Sequence, residues 1–329
     1  MSAKNNVSPA IMPFPTEKSS LESSFQLRYS RKKTTFGAKG ITMKSWIRHT
    51  LKKYFLYYRI KDRFAPAVQI TQRQLALSYR DAARNRTLPA ISETGFRVFS
   101  QFEEDGKLLF IFSVLGELTQ KTFIEFGADD GVNSNSANLY FHHGWHGLFM
   151  DGNPRAIARG RRFFGKYPHP HMYPPKFVET FINRENINDL ISNAGFSGEI
   201  GLLSIDIDGN DYWVWEAIEV VQPQVVIIET HNEFGLNNIV VPYDPNYMYP
   251  GKHPVYHGAS PIAMTKLAER KGYRLVGSND LGFNFIFVKN GLVENEIPAV
   301  AVESLLQHPS NAEARQRFEA VKDWDFLAG

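Results

Sequence analysis

Four short apolar runs, each carrying or closed by an acid, constrain this chain more than any other feature. Phe123 to Phe126 carries Glu125, Gly147 to Met150 ends in Asp151, Ile200 to Ile205 ends in Asp206, and Val225 to Ile228 ends in Glu229. Short apolar runs bounded by turn residues read as buried strands. Strands apolar on both faces belong to parallel sheets covered by helices. Helical patterns fall between them, at about 136–143, 154–164, 185–193, 212–221 and 261–271. The alternation predicts a doubly wound α/β sheet between about 120 and 272. The runs 273–278 and 283–289, joined by Asn279 to Gly282, predict a closing hairpin. The expected fold class is therefore a doubly wound, mostly parallel α/β sheet with one antiparallel edge hairpin.

Charge divides the chain. Residues 1–63 hold 14 Lys or Arg against 3 Asp or Glu, which leaves −8 for the remainder to reach the overall +3. The expected organisation is a flexible basic arm at 1–43, an amphipathic helix and connecting region at 44–92, the α/β domain at 93–290 and a helical tail at 291–329. Within the second part, Ile47, Leu51, Tyr54, Phe55 and Tyr58 recur at helical spacing among Arg48, Lys52, Lys53 and Arg59. Such a helix suits an anionic membrane surface, a protein partner or the acidic body of its own chain. Nucleic acid is disfavoured, because no recognised binding fold accompanies the charge. In the tail, Ser310 and Glu313 have capping-box spacing.

The absence of cysteine excludes disulfides and thiolate metal sites. The start, MSAKNNVSPA, lacks the basic-then-apolar pattern of a secretory signal. The run 108–115 is too short to cross a bilayer, which takes about 20 residues. A cytoplasmic protein is expected, with a peripheral position at the inner face of the membrane if the arm binds lipid.

Three constellations carry chemistry. Gly127 and Gly131 bound a turn after the first strand, with Glu125 before it and Asp151 ending the next strand. A glycine turn at the carboxyl end of a parallel strand receives a nucleoside ligand, and an acid on the second strand accepts ribose hydroxyls. A dinucleotide would need a glycine where Asp129 and Asp130 stand, and their charge is expected to repel pyrophosphate. S-adenosylmethionine, with a sulfonium and an ammonium, suits the acidic turn, and NAD does not. The cofactor-binding set is Glu125, Gly127, Asp130, Gly131, Asp151 and Asp206. The second constellation is Asp206, Asp208 and Asp211, which could hold a divalent cation, an ammonium group or an acceptor hydroxyl. The third is Glu229-Thr-His-Asn232, where His231 is a candidate general base. Asp206 and Asp208 complete the catalytic set. The long segment 233–260, with Tyr243, Tyr247, Tyr249 and Tyr256, is expected to cover the acceptor.

These motifs resemble the FkbM-like group of S-adenosylmethionine-dependent methyltransferases, over roughly residues 97–290. The resemblance rests on EFGADDG (125–131), GLFMDGN (147–153), SIDIDGNDYWVWEAI (204–218) and VVIIETHNEFG (225–235). Asp206 matches the first acid of the family's third motif, and Asp208 and Asp211 stand where glutamates are common. Ala128 replaces a glycine frequent in class I methyltransferases. The resemblance implies O-methylation of a sugar, glycan or small acceptor, often in surface-polysaccharide pathways. It also implies that the turn receives the methionine end, while Asp206 lies near the sulfonium. Two other classes stay open: a metal-dependent glycosyltransferase using Asp206-x-Asp208, and a binding module that kept the fold without the chemistry.

Overall fold

A computed structural model describes residues 60–165 and 174–329. The arm expected at 1–43 and nearly all of the helix expected at 45–60 lie outside the described residues, as does most of the proline-rich loop 167–175. In chain order the main elements are α1 (Pro66–Asn85), α2 (Glu104–Leu115), β1 (Thr122–Phe126), α3 (Ala137–His143), β2 (His146–Asp151), α4 (Pro154–Phe164), β3 (Lys176–Glu179) and α5 (Ile187–Asn193). There follow β4 (Gly198–Ile205), α6 (Asp211–Ala217), β5 (Val221–Glu229), α7 (Pro261–Arg270), β6 (Tyr273–Ser278), β7 (Asn284–Lys289), α8 (Val302–Leu305) and α9 (Ser310–Phe318).

The seven strands form one sheet in the order β3-β2-β1-β4-β5-β7-β6. All pairs are parallel except those of β7, which runs antiparallel to both β5 and β6. The doubly wound, mostly parallel class read from the sequence is the one observed. The reversed strand is the inner member of the closing pair, and β6 forms the edge. Several boundaries move by a few residues. The helix read at 212–221 stops at Ala217, and Val221 already opens β5.

Strand pleating sends alternate residues to opposite faces, and both faces are apolar. Phe123, Phe149, Leu202, Val225 and Ile227 pack with α2, α3 and α4 in one core. Ile124, Phe126, Met150, Leu203, Val226 and Ile228 pack with α5, α6 and α7 in the other. α2 is buried along eleven of its twelve residues, which include Lys107. The Lys107 ammonium is held by the Ser278 carbonyl at 2.7 Å, Asp280 at 2.8 Å and Glu103 at 3.1 Å.

Successive connections leave β1 toward β2 on one side, while β4 enters on the other. The crevice at the carboxyl ends of β1 and β4 is thus a topological switch point, where open α/β sheets bind ligands. The tail packs beside the segment after β5. Phe318, Val321 and Phe326 meet Phe234 and Tyr256, and Val240 bridges to Leu327. The capping box expected at Ser310 is not formed. Ser310 is already the first residue of α9, and its N–H donates to His308 Nδ1 at 3.2 Å.

Trp215 on α6 is 1% exposed between Tyr273 and Phe287, whereas Trp324 in the tail is 38% exposed. Trp215→Ala is expected to destabilise the protein by about 3–5 kcal/mol, and Trp324→Ala by less than about 1 kcal/mol. Denaturant midpoints of the two variants check this; equal losses would contradict the core assignment.

Candidate active site at the strand ends

Gly127 and Gly131 both have left-handed backbone, with φ of +70° and +73°. At Gly127 the glycine is also needed for space. A Cβ there would lie 1.6 Å from the Asp206 carbonyl oxygen, so only glycine lets the β1 turn cross the end of β4. Asp129 also lies at positive φ, +49°. Its N–H donates to Asp151 Oδ2 at 2.8 Å, and Asp151 Oδ1 accepts from the Asn153 N–H at 2.7 Å. The acid ending β2 thereby fastens the turn after β1. Each carboxylate oxygen has a second acceptor site left for a ligand.

Glu125 sits differently from the position expected. It is 5% exposed, and its two oxygens accept the N–H groups of Asn135 at 3.0 Å and Ser136 at 2.9 Å. Burial raises its pKa, and the hydrogen bonds of Ser136 and Asn135 oppose the rise. Glu125 therefore shapes the loop into α3. Asp211 does the same after β4, accepting from Ile207 N–H at 2.8 Å and Gly209 N–H at 2.9 Å.

The negative charge expected of Asp129 and Asp130 is partly neutralised. Arg159 on α4 meets Asp129 at 2.9 Å and Asp130 at 3.1 Å, so the turn is less negative than its own residues suggest. The pairing joins residues about thirty positions apart, and no local pattern signals it.

Asp206, Asp208 and Glu229 are the acids left without such partners. One carboxylate oxygen from each lies within 4.8 Å of the others. Among the described residues none of the three makes an ion pair with Lys or Arg. Burial holds Asp206 well above the usual carboxylate range, helped by repulsion from Asp208, Asp211, Glu125 and Glu104. Glu229 is held high by burial and then by Asp206, Asp208 and Asp211. Asp208 stands at positive φ, +56°; its side chain keeps contact with solvent, yet desolvation of the carboxyl within the crevice and then Asp211 push it up to about 6, while His231 works the other way. Glu229 Oε2 is buried without a hydrogen-bond partner.

The segment after β5 closes over this cluster. Tyr247 is clamped between Gly209 and Gly251, where added Cβ atoms would come within 2.3 and 2.5 Å of its ring. It stacks on His257 at 6.0 Å. Its hydroxyl is buried and unpartnered, and burial, Asp208, Tyr249, Asp211 and Glu229 raise its pKa. Tyr247 is thus a neutral hydrogen-bond donor facing the acids. Tyr249 feels Asp208 and Glu229 too. Of the four tyrosines expected over the acceptor, the other two face elsewhere. Tyr243 bonds Glu185 beneath the Arg184 guanidinium, and Tyr256 bonds the Asp325 carbonyl.

His231 is 7% exposed, 4.0 Å from the His257 ring, with Nε2 buried and unpartnered. Its Nδ1 lies 3.7 Å from Glu233 Oε2, an electrostatic contact longer than a hydrogen bond. Burial would raise the pKa of Glu233, but His231 and the Arg317 pair at 2.7 Å outweigh it and hold that carboxyl down to about 2. Burial pushes His257 down to about 2, so it is neutral.

No protein-family model matches the chain, and no curated protein matches it. Solved structures similar to it include an SAH-bound Podospora anserina methyltransferase, PaMTH1, at 11% identity and TM-score 0.38, covering 86% of this chain and 99% of that one. An O-methyltransferase from Bacillus cereus in complex with SAH has 14% identity and TM-score 0.39, covering 67% and 91%. An O-methyltransferase family protein from Burkholderia thailandensis has 12% identity and TM-score 0.34, covering 84% and 71%.

Asp208 has a pKa of about 6 when folded, against 3.8 ordinarily. Its contribution to stability is full below the ordinary value and is lost as pH rises through about 6. Asp208→Asn, which left-handed backbone tolerates, is therefore expected to raise the melting temperature of the ligand-free protein at pH near 7.5 and not at pH near 4. Thermal melts at both values test it, and a pH-independent difference would overturn it.

Proposed function

We propose that the protein is an S-adenosylmethionine-dependent O-methyltransferase whose acceptor is a hydroxyl of a sugar, glycan or related small molecule. The carrying observation is the cluster of Asp206, Asp208 and Glu229, carboxylates without Lys or Arg partners among the described residues, beside a glycine turn at the switch point of the sheet. Such a crevice favours a ligand that brings positive charge. The resemblance of 125–131, 147–153, 204–218 and 225–235 to FkbM-like motifs, which include these same residues, supports this reading.

S-adenosylmethionine, when bound, would supply a methyl group from its sulfonium to the acceptor oxygen, with S-adenosylhomocysteine as the leaving group. Gly127, Asp130 and Gly131 would hold the methionine end through their backbone, and Asp151 would accept the ribose hydroxyls. Glu125 acts behind them by holding the loop into α3. Asp206 stabilises positive charge at the reacting end. His231, with Glu233 and Arg317 behind it, would take the acceptor proton. Such a base is worth about 10²–10⁴ in rate. Tyr247 and Tyr249 cover the acceptor, and aromatic faces suit sugar rings.

Asp206, Asp208 and Glu229 also fit a divalent cation. All three offer oxygen ligands, their spacing is within 4.8 Å, and Glu229 Oε2 is unpartnered. A bound metal would supply Lewis acidity that lowers the pKa of the acceptor hydroxyl. The proposed partners are the acceptor and, through the basic stretch 45–60, an anionic membrane surface or a protein. Among the described residues no helix is long and apolar enough to cross a membrane.

Calorimetry with S-adenosylmethionine and S-adenosylhomocysteine is expected to show micromolar-range binding, near −8 kcal/mol. Heat only with a nucleotide sugar and manganese would replace this reading with the glycosyltransferase. Tight cofactor binding without transfer to any acceptor in a broad panel would leave a binding module. His231→Ala is expected to slow transfer by about 10²-fold or more with cofactor affinity unchanged; full turnover would remove the base role. Activity that survives a strong chelator would remove the metal.

A further inference from the structure

We propose that Arg159 is a positioning residue that locks the Gly127–Gly131 turn in its ligand-receiving shape, an inference that rests on the cofactor reading above for its binding consequence alone. The turn is costly to hold. Three of its five residues, Gly127, Asp129 and Gly131, have positive φ, and Asp129 is no glycine. Two adjacent carboxylates, Asp129 and Asp130, also repel each other across it, and Asp151 adds a third negative charge beside them.

Arg159 answers both problems at once. Its Nη2 meets Asp129 Oδ1 at 2.9 Å and its Nε meets Asp130 Oδ2 at 3.1 Å. One planar guanidinium thereby bridges two neighbouring side chains, which an ammonium point charge does less well. Asp151 Oδ2 takes the Asp129 N–H at 2.8 Å, and Asp151 also feels the Arg159 charge. Asp129 is therefore gripped by its backbone from β2 and by its side chain from α4.

The helix is built to deliver this contact. Gly160, the next residue, lies against the turn so closely that a Cβ would sit 2.8 Å from the Asp130 carbonyl oxygen and 2.5 Å from the Phe177 ring. Ile157 is fully buried on the same helix, and Asn153 caps its start by accepting from the Arg155 and Ala156 N–H groups. A fixed helix at close approach carries Arg159 to the two acids. The Arg159 side chain is 47% exposed, so the pair adds little to global stability, and its effect is read locally at the turn.

Hydrogen exchange and calorimetry on the full chain test the proposal. In Arg159→Gln the amides of Asp129 and Gly131, which donate to Asp151 and to the Ala128 carbonyl, should exchange about tenfold faster while the melting temperature stays nearly unchanged. The Kd for S-adenosylhomocysteine should rise about tenfold, with a smaller rise in Arg159→Lys. In an Asp129→Asn background, where the repulsion is already relieved, Arg159→Gln should cost less than about twofold. A lost packing contact would not show that rescue. Unchanged exchange in Arg159→Gln, or the same loss of affinity in both backgrounds, would overturn the proposal. Faster exchange in a protein that never binds S-adenosylhomocysteine would support the brace and sink the cofactor reading.

Discussion

Carboxylates crowded at the carboxyl ends of β1, β2, β4 and β5 set the terms for everything around them. A buried carboxylate is costly unless it is hydrogen-bonded or paired. The chain divides its acids accordingly. Glu125, Asp151 and Asp211 each turn both oxygens onto backbone N–H groups, and each thereby fixes the loop after a strand. Asp105 plays a related part at the start of α2, with one oxygen accepting from Val98, Phe99 and Ser100, and burial pushes it up to about 6. Asp206, Asp208 and Glu229 have no such donors among the described residues. The first group builds the crevice, and the second gives it its charge.

The wall opposite the strand ends depends on contacts from far along the chain. Tyr247 needs Gly209 and Gly251 on either side of its ring, and the Gly258 N–H bonds the Gly209 carbonyl at 3.0 Å. Phe234, Val241 and Val255 then pack on Val321, Phe318 and Phe326 of the tail. Arg317 reaches back from α9 to Glu233. The tail beyond residue 291 therefore braces the segment that covers the acids. Four of the buried polar atoms without partners, in Glu229, His231, Tyr247 and His257, lie along this seam. Buried polar atoms are seldom left unpaired in a folded protein, so these four are open to partners other than the chain's own described residues.

The strands, their order of appearance and the acids that end them were legible in the sequence, because burial on both faces writes itself as uninterrupted apolar runs. The glycine turn was legible too, since left-handed backbone leaves a glycine signature. What stayed hidden is direction and long-range pairing. Glu125 and Asp206 look alike as strand-end acids, yet one faces the N–H groups ahead of α3 and the other faces the crevice. Nothing in the residues around Arg159 marks it as the partner of Asp129 and Asp130. His257 and Glu233 follow the same rule, for their importance comes from neighbours that only folding supplies. The capping box at Ser310 failed for a smaller reason: the helix begins at Ser310 itself, so that residue cannot stand before it.

The sign of charge discriminates more strongly at this crevice than any single hydrogen bond. Two unit charges 4.8 Å apart, the outer limit for the three acids, repel by about 3 kcal/mol at an effective dielectric near 20. Contact of Asp208 with solvent reduces this further. A net hydrogen bond contributes about 1 kcal/mol. A phosphate-bearing ligand would add negative charge to that repulsion, and one arginine at the turn cannot offset the acids at both strand ends. A ligand that places a positive centre beside Asp206 relieves the repulsion on Asp208 and Glu229 together. Raised pKa values in all three carboxyls and the proposed affinity for a cationic ligand are therefore two expressions of one arrangement, and such a ligand should draw protons off the cluster as it binds.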